Sequence, residues 1–299
     1  MTAHDQGFAE INGARLYYEV AGDGPPLTLL HAGITDSRMW DAQFDLFAQT
    51  YRTVRYDLRG FGRSVPPPGP YTMREDLAAL LDFLGIARTH LIGVSMSGSI
   101  AIDFALSYPE RVSALVPVAM GIGGMTSSAY MDERDRENEA ILASGDADAA
   151  NEADLRLWLD GVGRPAGTAV DPGVRERVRE MNAPLIAAQI NDKGEHQSVN
   201  RLTPPAIERL EAITAPILAI VGAHDVPDML TNADAIATRI PGARKAIMPG
   251  VAHLPPMEAP EEFNRLVLDF LREVMRGNRN ELRCGAKRSC QRPAPATRR

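Results

Sequence analysis

Cysteine is almost missing from this chain. Its two copies, Cys284 and Cys290, lie near the C-terminus, outside any segment with a folding pattern. They give no disulfide framework and lack the histidine or cysteine company of a zinc site. No apolar run comes near the roughly 18 residues of a membrane span. The opening Met1-Thr2-Ala3-His4-Asp5-Gln6 does not have the pattern of a secretory leader. The expectation is a cytoplasmic protein with no membrane span. Dinucleotide fingerprints, phosphate-binding glycine loops, metal-ligand clusters and internal repeats are also missing, so no cofactor and no metal are expected.

Positive charge is scarce over most of the length. Residues 1–275 hold 24 of the 32 basic residues and 38 of the 39 acidic ones, a net charge of −14. So acidic a body argues against nucleic acid as a partner. The other eight basic residues fall between Arg276 and Arg299, beside the single acid Glu281. This stretch has no periodicity and carries Gly, Ser and Pro, so 276–299 is expected to be a disordered basic tail. It reads as a solvated appendage, with contact to RNA or a membrane as the alternative. Hydrophobic residues make up 44% of the 299, enough for one large α/β domain or two smaller ones.

What is present alternates. Residues 7–11 and 14–20 read as strands joined by an Asn12-Gly13 hairpin turn. A short apolar strand follows at 27–31, then a helix capped by Asp36 or Ser37 through Gln49. Strand 53–56 leads to a proline-rich loop, Val65 to Pro70, and an amphipathic helix over 73–84. Strand 91–94, helix 100–108 and strand 112–118 complete the run. Strand–helix alternation of this kind predicts a mostly parallel sheet flanked by helices, with sites at the carboxyl ends of its strands. His31, Asp57 and Ser95 stand at or just past such ends. The alternation stops at Met120. Residues 121–203 have no clear strand and hold charged helical stretches at 131–144, 150–161 and 171–182, which predicts an inserted helical cap. The sheet then resumes with strand 217–221, helix 229–239, strand 243–248 and a closing helix over 258–275. The core is therefore expected in two parts, 1–120 and 204–275, around a cap at 121–203.

The chemistry centres on Leu91-Ile92-Gly93-Val94-Ser95-Met96-Ser97-Gly98. One serine stands between a buried strand and a helix, with small residues two before and two after it. A tight strand-to-helix turn needs that spacing, because bulk at the flanks would strike the neighbouring chain. Such a turn lifts the serine Oγ above the sheet at a helix N-terminus, where free N–H groups can meet an anion. A serine hydroxyl is a weak nucleophile until a base takes its proton. Of six histidines, His253 lies in Pro249-Gly250-Val251-Ala252-His253-Leu254-Pro255-Pro256, a loop after the last strand. Asp225, just past the preceding strand, is the acid to orient it, with Asp228 as the fallback. The residues after strand 112–118, Ala119-Met120-Gly121, supply no acid. The backbone N–H of Met96 and that of Gly33, or else Ile34, are the expected oxyanion donors. Met96, Met120, Met125, Met131 and Met181 are candidates to line the pocket under the cap.

Over residues 7–275 the chain resembles the α/β-hydrolase superfamily, whose fold, a mostly parallel sheet with an inserted helical cap, is the fold class expected here. Leu29-Leu30-His31-Ala32-Gly33 with Trp40 resembles the oxyanion loop of its esterase, haloperoxidase-like and lactonase branches. Asp57-Leu58-Arg59-Gly60-Phe61-Gly62-Arg63-Ser64, Gly222-Ala223-His224-Asp225 and Ala252-His253 with Glu258-x-Pro260 complete the likeness. Within it, Asp57 and Arg59 hold loops. Val54 to Asp57, Pro68 to Thr72 and Leu80 to Ile86 resemble the 3-oxoadipate enol-lactonase branch most. His31-Ala32 stands where that branch carries Asn-Ser, and Ser97 where its elbow carries Gly. The resemblance implies a cofactor-independent serine hydrolase acting on a small-molecule ester or lactone, with Ser95, His253 and Asp225 as its triad. Hydrolysis of a carbon–carbon bond or thioester by the same residues is the enzymatic alternative, and a ligand sensor that keeps the triad is the other. An aspartate nucleophile, as in dehalogenases of this fold, is excluded by Ser95.

Overall fold

The computed structural model describes residues 4–65, 69–191, 196–198 and 202–289. The strands are β1 (His4–Ile11), β2 (Ala14–Ala21), β3 (Pro26–Leu30), β4 (Arg52–Tyr56), β5 (Gly69–Tyr71), β6 (Thr89–Val94), β7 (Val112–Val118), β8 (His196–Ser198), β9 (Leu218–Gly222) and β10 (Arg244–Met248). Eight of them form one sheet in the order β1-β2-β4-β3-β6-β7-β9-β10. β1 and β2 are antiparallel to each other, and β2 to β4; every other pairing in this sheet is parallel. β6 sits mid-sheet, with Ile92 in register with Leu29 on one side and Val116 on the other. All six of its residues are buried, as a strand covered on both faces demands.

Helices α1 (Asp41–Ala48), α2 (Met73–Phe83), α3 (Met96–Ser107), α4 (Ala129–Ser144), α5 (Ala147–Asp154), α6 (Pro172–Asn191), α7 (Pro227–Arg239), α8 (Pro255–Glu258) and α9 (Pro260–Ser289) complete the order. The two faces of the sheet carry separate apolar clusters. Leu77 and Leu80 of α2, Phe104 of α3 and Ile236 of α7 belong to one. Phe47 of α1, Trp40 just before it, and Phe263 and Val267 of α9 belong to the other. The expected α/β-hydrolase layering, a mostly parallel sheet between helical layers, is the layering observed. Helices α4 to α6 lie in the chain between β7 and β9.

Several boundaries differ from the sequence reading. β5 lies at the end of the stretch read as a proline-rich loop, and β8 within the span read as strand-free; they pair in parallel as a two-stranded sheet. Three residues are too few for a period-2 pattern to register. α3 starts at Met96 rather than Ile100, because Ser97-Gly98-Ser99 looks like a turn by composition yet sits in the first helical turn. α6 runs nine residues past the expected end at Asn182. α9 continues through Arg276 to Ser289, where the sequence suggested disorder. Leu282, Arg283, Ala286, Lys287 and Arg288 are good helix formers and extend it without any apolar stripe. Residues 290–299, Cys290 among them, lie outside the described residues.

Candidate active site

Ser95 joins β6 to α3 with φ +58° and ψ −118°, in the positive-φ region that residues with side chains rarely adopt. Such a residue costs on the order of 1–3 kcal/mol and persists only where its surroundings fix it. The Ser95 N–H donates to the Val118 carbonyl at 2.8 Å, and the Ser95 carbonyl accepts from Gly98 N–H at 2.9 Å. Gly93 is required by contact: a Cβ there would lie 2.3 Å from the Ser97 carbonyl oxygen. Ser97 is itself buried, and its hydroxyl donates to the carbonyl of His31. That bond ties the serine turn to the loop after β3. His31 Nε2 accepts the Leu58 N–H at 3.0 Å, so its proton sits on Nδ1, which donates to the Ala32 carbonyl at 2.9 Å. Burial pushes this imidazole below its ordinary pKa and keeps it neutral.

His253 arrives from the loop between β10 and α8. Its Nε2 lies 2.7 Å from Ser95 Oγ. Its Nδ1 lies 2.8 and 3.1 Å from the two carboxylate oxygens of Asp225. Asp225 Oδ1 also accepts the Val226 N–H at 2.8 Å. Both residues are nearly sealed, His253 at 2% and Asp225 at 3% exposure. The two loops are pressed together at the end of β9: a Cβ on Gly222 would stand 2.0 Å from the Ala252 carbonyl oxygen. Glu258 locks the histidine loop from below. Its carboxylate accepts the N–H groups of Ala252 and Leu254, one on each side of His253, both at 2.9 Å. Arg164 pairs with Glu258 at 2.9 Å. Burial nonetheless pushes the Glu258 carboxyl up, with the two N–H donors and Arg164 working against that rise.

Ser95 and His253 open into a cavity of about 220 Å³. The core contributes Gly33 and Ile34 beside them, and the helical insertion contributes Asn138, Asp154, Trp158 and Gln189. Trp158 belongs to a π-helical turn, Leu155–Asp160, a local winding that recurs at functional sites. Gly33 and Met96 are neighbours: a Cβ on Gly33 would lie 3.7 Å from the Met96 Cβ. Met96 is the first residue of α3, so its N–H has no partner within the helix.

The residues singled out in the sequence thus converge: Ser95, Asp225, His253, Gly33 and Met96 meet at one end of the sheet, with Ile34 at the cavity wall. The fallback acid does not join them. Asp228 instead accepts the N–H and hydroxyl of Ser128, the residue that caps α4. Asp57 accepts the N–H groups of Ser37 and Arg63, and Arg59 forms a buried pair with Asp76 at 2.7 Å, so both hold loops. None of the five methionines is among the residues lining the cavity. Met120 and Met181 are core, and Met125 and Met131 line a separate hollow beside Asp228. Sequence reasoning missed Trp158, Asp154, Asn138 and Gln189, and it placed Glu258 only at the start of the closing helix and in the Glu258-x-Pro260 motif, without a role beside His253. The signals for its role were its nearness to His253 in the chain and its place in the Glu258-x-Pro260 motif. Among the described residues no cluster of side chains could hold a metal ion, and no helix is long and apolar enough to cross a membrane.

Comparison with known proteins agrees with this fold. A model described as the alpha/beta hydrolase family matches residues 29–266. A 2-hydroxy-6-oxononadienedioate/2-hydroxy-6-oxononatrienedioate hydrolase of Burkholderia vietnamiensis is 32% identical over 270 residues, 86% of this chain and 91% of that one. Among solved structures, a hydrolase from Pseudomonas aeruginosa superposes with a TM-score of 0.72 at 31% identity, covering 89% of this chain and 98% of its own. The enol-lactonase from Burkholderia xenovorans superposes with a TM-score of 0.70 at 25% identity, covering 89% and 100%.

Proposed function

The chain belongs to the alpha/beta hydrolase family, and from that premise we propose that it is a cofactor-independent serine hydrolase that cleaves a small carboxylic ester or lactone. The observation that carries this reading is the unbroken chain of contacts from Ser95 Oγ to His253 Nε2 at 2.7 Å and from His253 Nδ1 to Asp225 at 2.8 Å. Ser95 Oγ attacks the carbonyl carbon while His253 takes its proton. Asp225 keeps the Nδ1 proton in place and stabilises the imidazolium that forms. The N–H groups of Met96 and Gly33 receive the oxyanion, each such donor typically lowering the barrier by ~3 kcal/mol. His253 then protonates the leaving alcohol or enol. Water, deprotonated by the same imidazole, releases the acid from Ser95. The helical insertion, placed at 121–203, covers the site and shapes the pocket.

A hydrolysis panel of short aryl esters, lactones, thioesters and vinylogous diketones, run on wild type and Ser95→Ala, tests the reading. Turnover of esters or lactones that vanishes in Ser95→Ala supports it. Turnover confined to thioesters or carbon–carbon bonds would reassign the substrate class while keeping the triad. Normal ester turnover by Ser95→Ala would remove the serine from the mechanism. A burst of one equivalent with no further product would indicate a sensor instead.

A further inference from the structure

The wall that faces Ser95 from the helical insertion is polar, and its one ionisable group is an acid. Asp154 is 6% exposed and lines the same cavity as Ser95 and His253. No cation pairs with it among the described residues. Its Oδ2 accepts from Asn182 Nδ2 at 2.9 Å, while its Oδ1 has only the Asn138 amide at 3.5 Å. Burial pushes its carboxyl above the ordinary range, the two asparagine amides pulling the other way. Beside it, Asn138 Oδ1 is buried with no hydrogen-bond partner. Two residues that line the cavity of Ser95 thus carry acceptor oxygens, Asp154 Oδ1 and Asn138 Oδ1, with unused capacity. No Lys or Arg is among the residues lining this cavity. Arg134 and Arg156 line a neighbouring hollow of about 490 Å³ that shares Asn138 and Asp154 with this cavity. Both are already paired, Arg134 with Glu133 and Glu137, Arg156 with Glu152.

A buried carboxylate without a counter-charge is costly unless donors reach it, and unmet acceptors in a cleft reward a ligand that brings a donor. A second carboxylate brought into the same cavity would meet like charge at low dielectric. We infer that Asp154 sets substrate choice: the site takes esters that carry a hydrogen-bond donor such as a carboxamide, hydroxyl or ammonium beyond the scissile carbonyl, and turns away those with a carboxylate there. This rests on Ser95 being the nucleophile, since it concerns what lies across from its Oγ.

Three 4-nitrophenyl esters of equal chain length test it: hexanoate, adipamate with a terminal carboxamide, and hydrogen adipate with a terminal carboxylate. Values of kcat/KM are compared as ratios, so a loss common to all three cancels. Wild type is expected to favour the carboxamide over the carboxylate by about tenfold or more. Asp154→Asn, which keeps the shape and an acceptor for Asn182, is expected to bring that ratio to within about threefold. Equal rates on carboxamide and carboxylate in wild type overturn the inference without any variant. An unchanged ratio in Asp154→Asn overturns it as well, since the selection would then come from the acidic surface at large. If Ser95→Ala hydrolyses the esters as fast as wild type, the nucleophile assignment falls, and this inference with it.

Discussion

The indole of Trp158 lies against the imidazole of His253, ring centroids 4.4 Å apart and planes tilted by 41°, while the Trp158 carbonyl accepts the His253 N–H at 3.3 Å. The helical insertion therefore grips His253 directly, by ring and by backbone. Packing of aromatic rings at this distance contributes about 0.5–1.5 kcal/mol beyond simple burial. Trp158→Ala should lower kcat/KM on a 4-nitrophenyl ester by about tenfold, and Trp158→Phe should restore most of it. Steady-state kinetics of the two variants decide this; equal rates for Ala and wild type would mean the ring is only a lid.

Asp225 accepts both the imidazole proton of His253 and the Val226 N–H. Asp225→Asn should leave the fold intact but present the wrong hydrogen to His253. A loss of about 10³–10⁴ in kcat is expected, as for other triads in which this acid becomes an amide. Circular dichroism alongside kinetics separates this effect from unfolding.

The Ser97 hydroxyl meets the His31 carbonyl in a buried contact between the serine turn and the β3 loop. Ser97→Ala leaves that carbonyl unsatisfied, at a cost of about 1–3 kcal/mol. Urea unfolding should show the lower midpoint. Ester turnover should fall as well, because the loop carrying Gly33 loses its tie to Ser95. A variant as stable and as active as wild type would show the bond to be dispensable.

His90 is buried edge-on to Tyr51, and burial followed by the charge of Arg88 pushes its imidazole down to about 4. The unfolded chain takes up that proton near pH 6.5. Between pH 6.5 and about 4 the unfolded state holds more protons, so stability falls as the pH drops through that window. His31, lowered mainly by its own burial, acts in the same direction. Asp103, raised to about 6 chiefly by burial, acts in the opposite one, stabilising at acid pH and losing that contribution as the pH rises toward 6. Urea unfolding at pH 7 and pH 5 should show wild type losing stability, and His90→Gln losing about 2 kcal/mol less over the same interval. Equal losses would mean His90 is protonated in the folded protein.

Much of the sheet was legible because its strands are buried on both faces and read as unbroken apolar runs; Val112–Val118 appears in the structure with the limits the sequence implies. The serine turn was legible because sterics demand small residues on either side of Ser95, and Gly93 leaves a mark in sequence for that reason. The polar wall of the pocket left none. Asn138 lies on α4, whose charged sequence buries only Met131, and Asp154, Trp158 and Gln189 fall outside the apolar positions of their helices, so which polar side chains reach the cavity is decided by packing and not by periodicity. Glu258, read as the first residue of the closing helix, instead ends a one-turn helix, Pro255–Glu258, before α9, and a span that short has no pattern of its own.

That Ser95 Oγ is the group His253 activates can be tested by covalent capture. Wild type treated with a fluorophosphonate should take up one equivalent, and peptide mass spectrometry should place it on Ser95, with uptake slowed at least a hundredfold in His253→Ala. Label on another residue, or full ester turnover by protein that takes up none, would contradict the account.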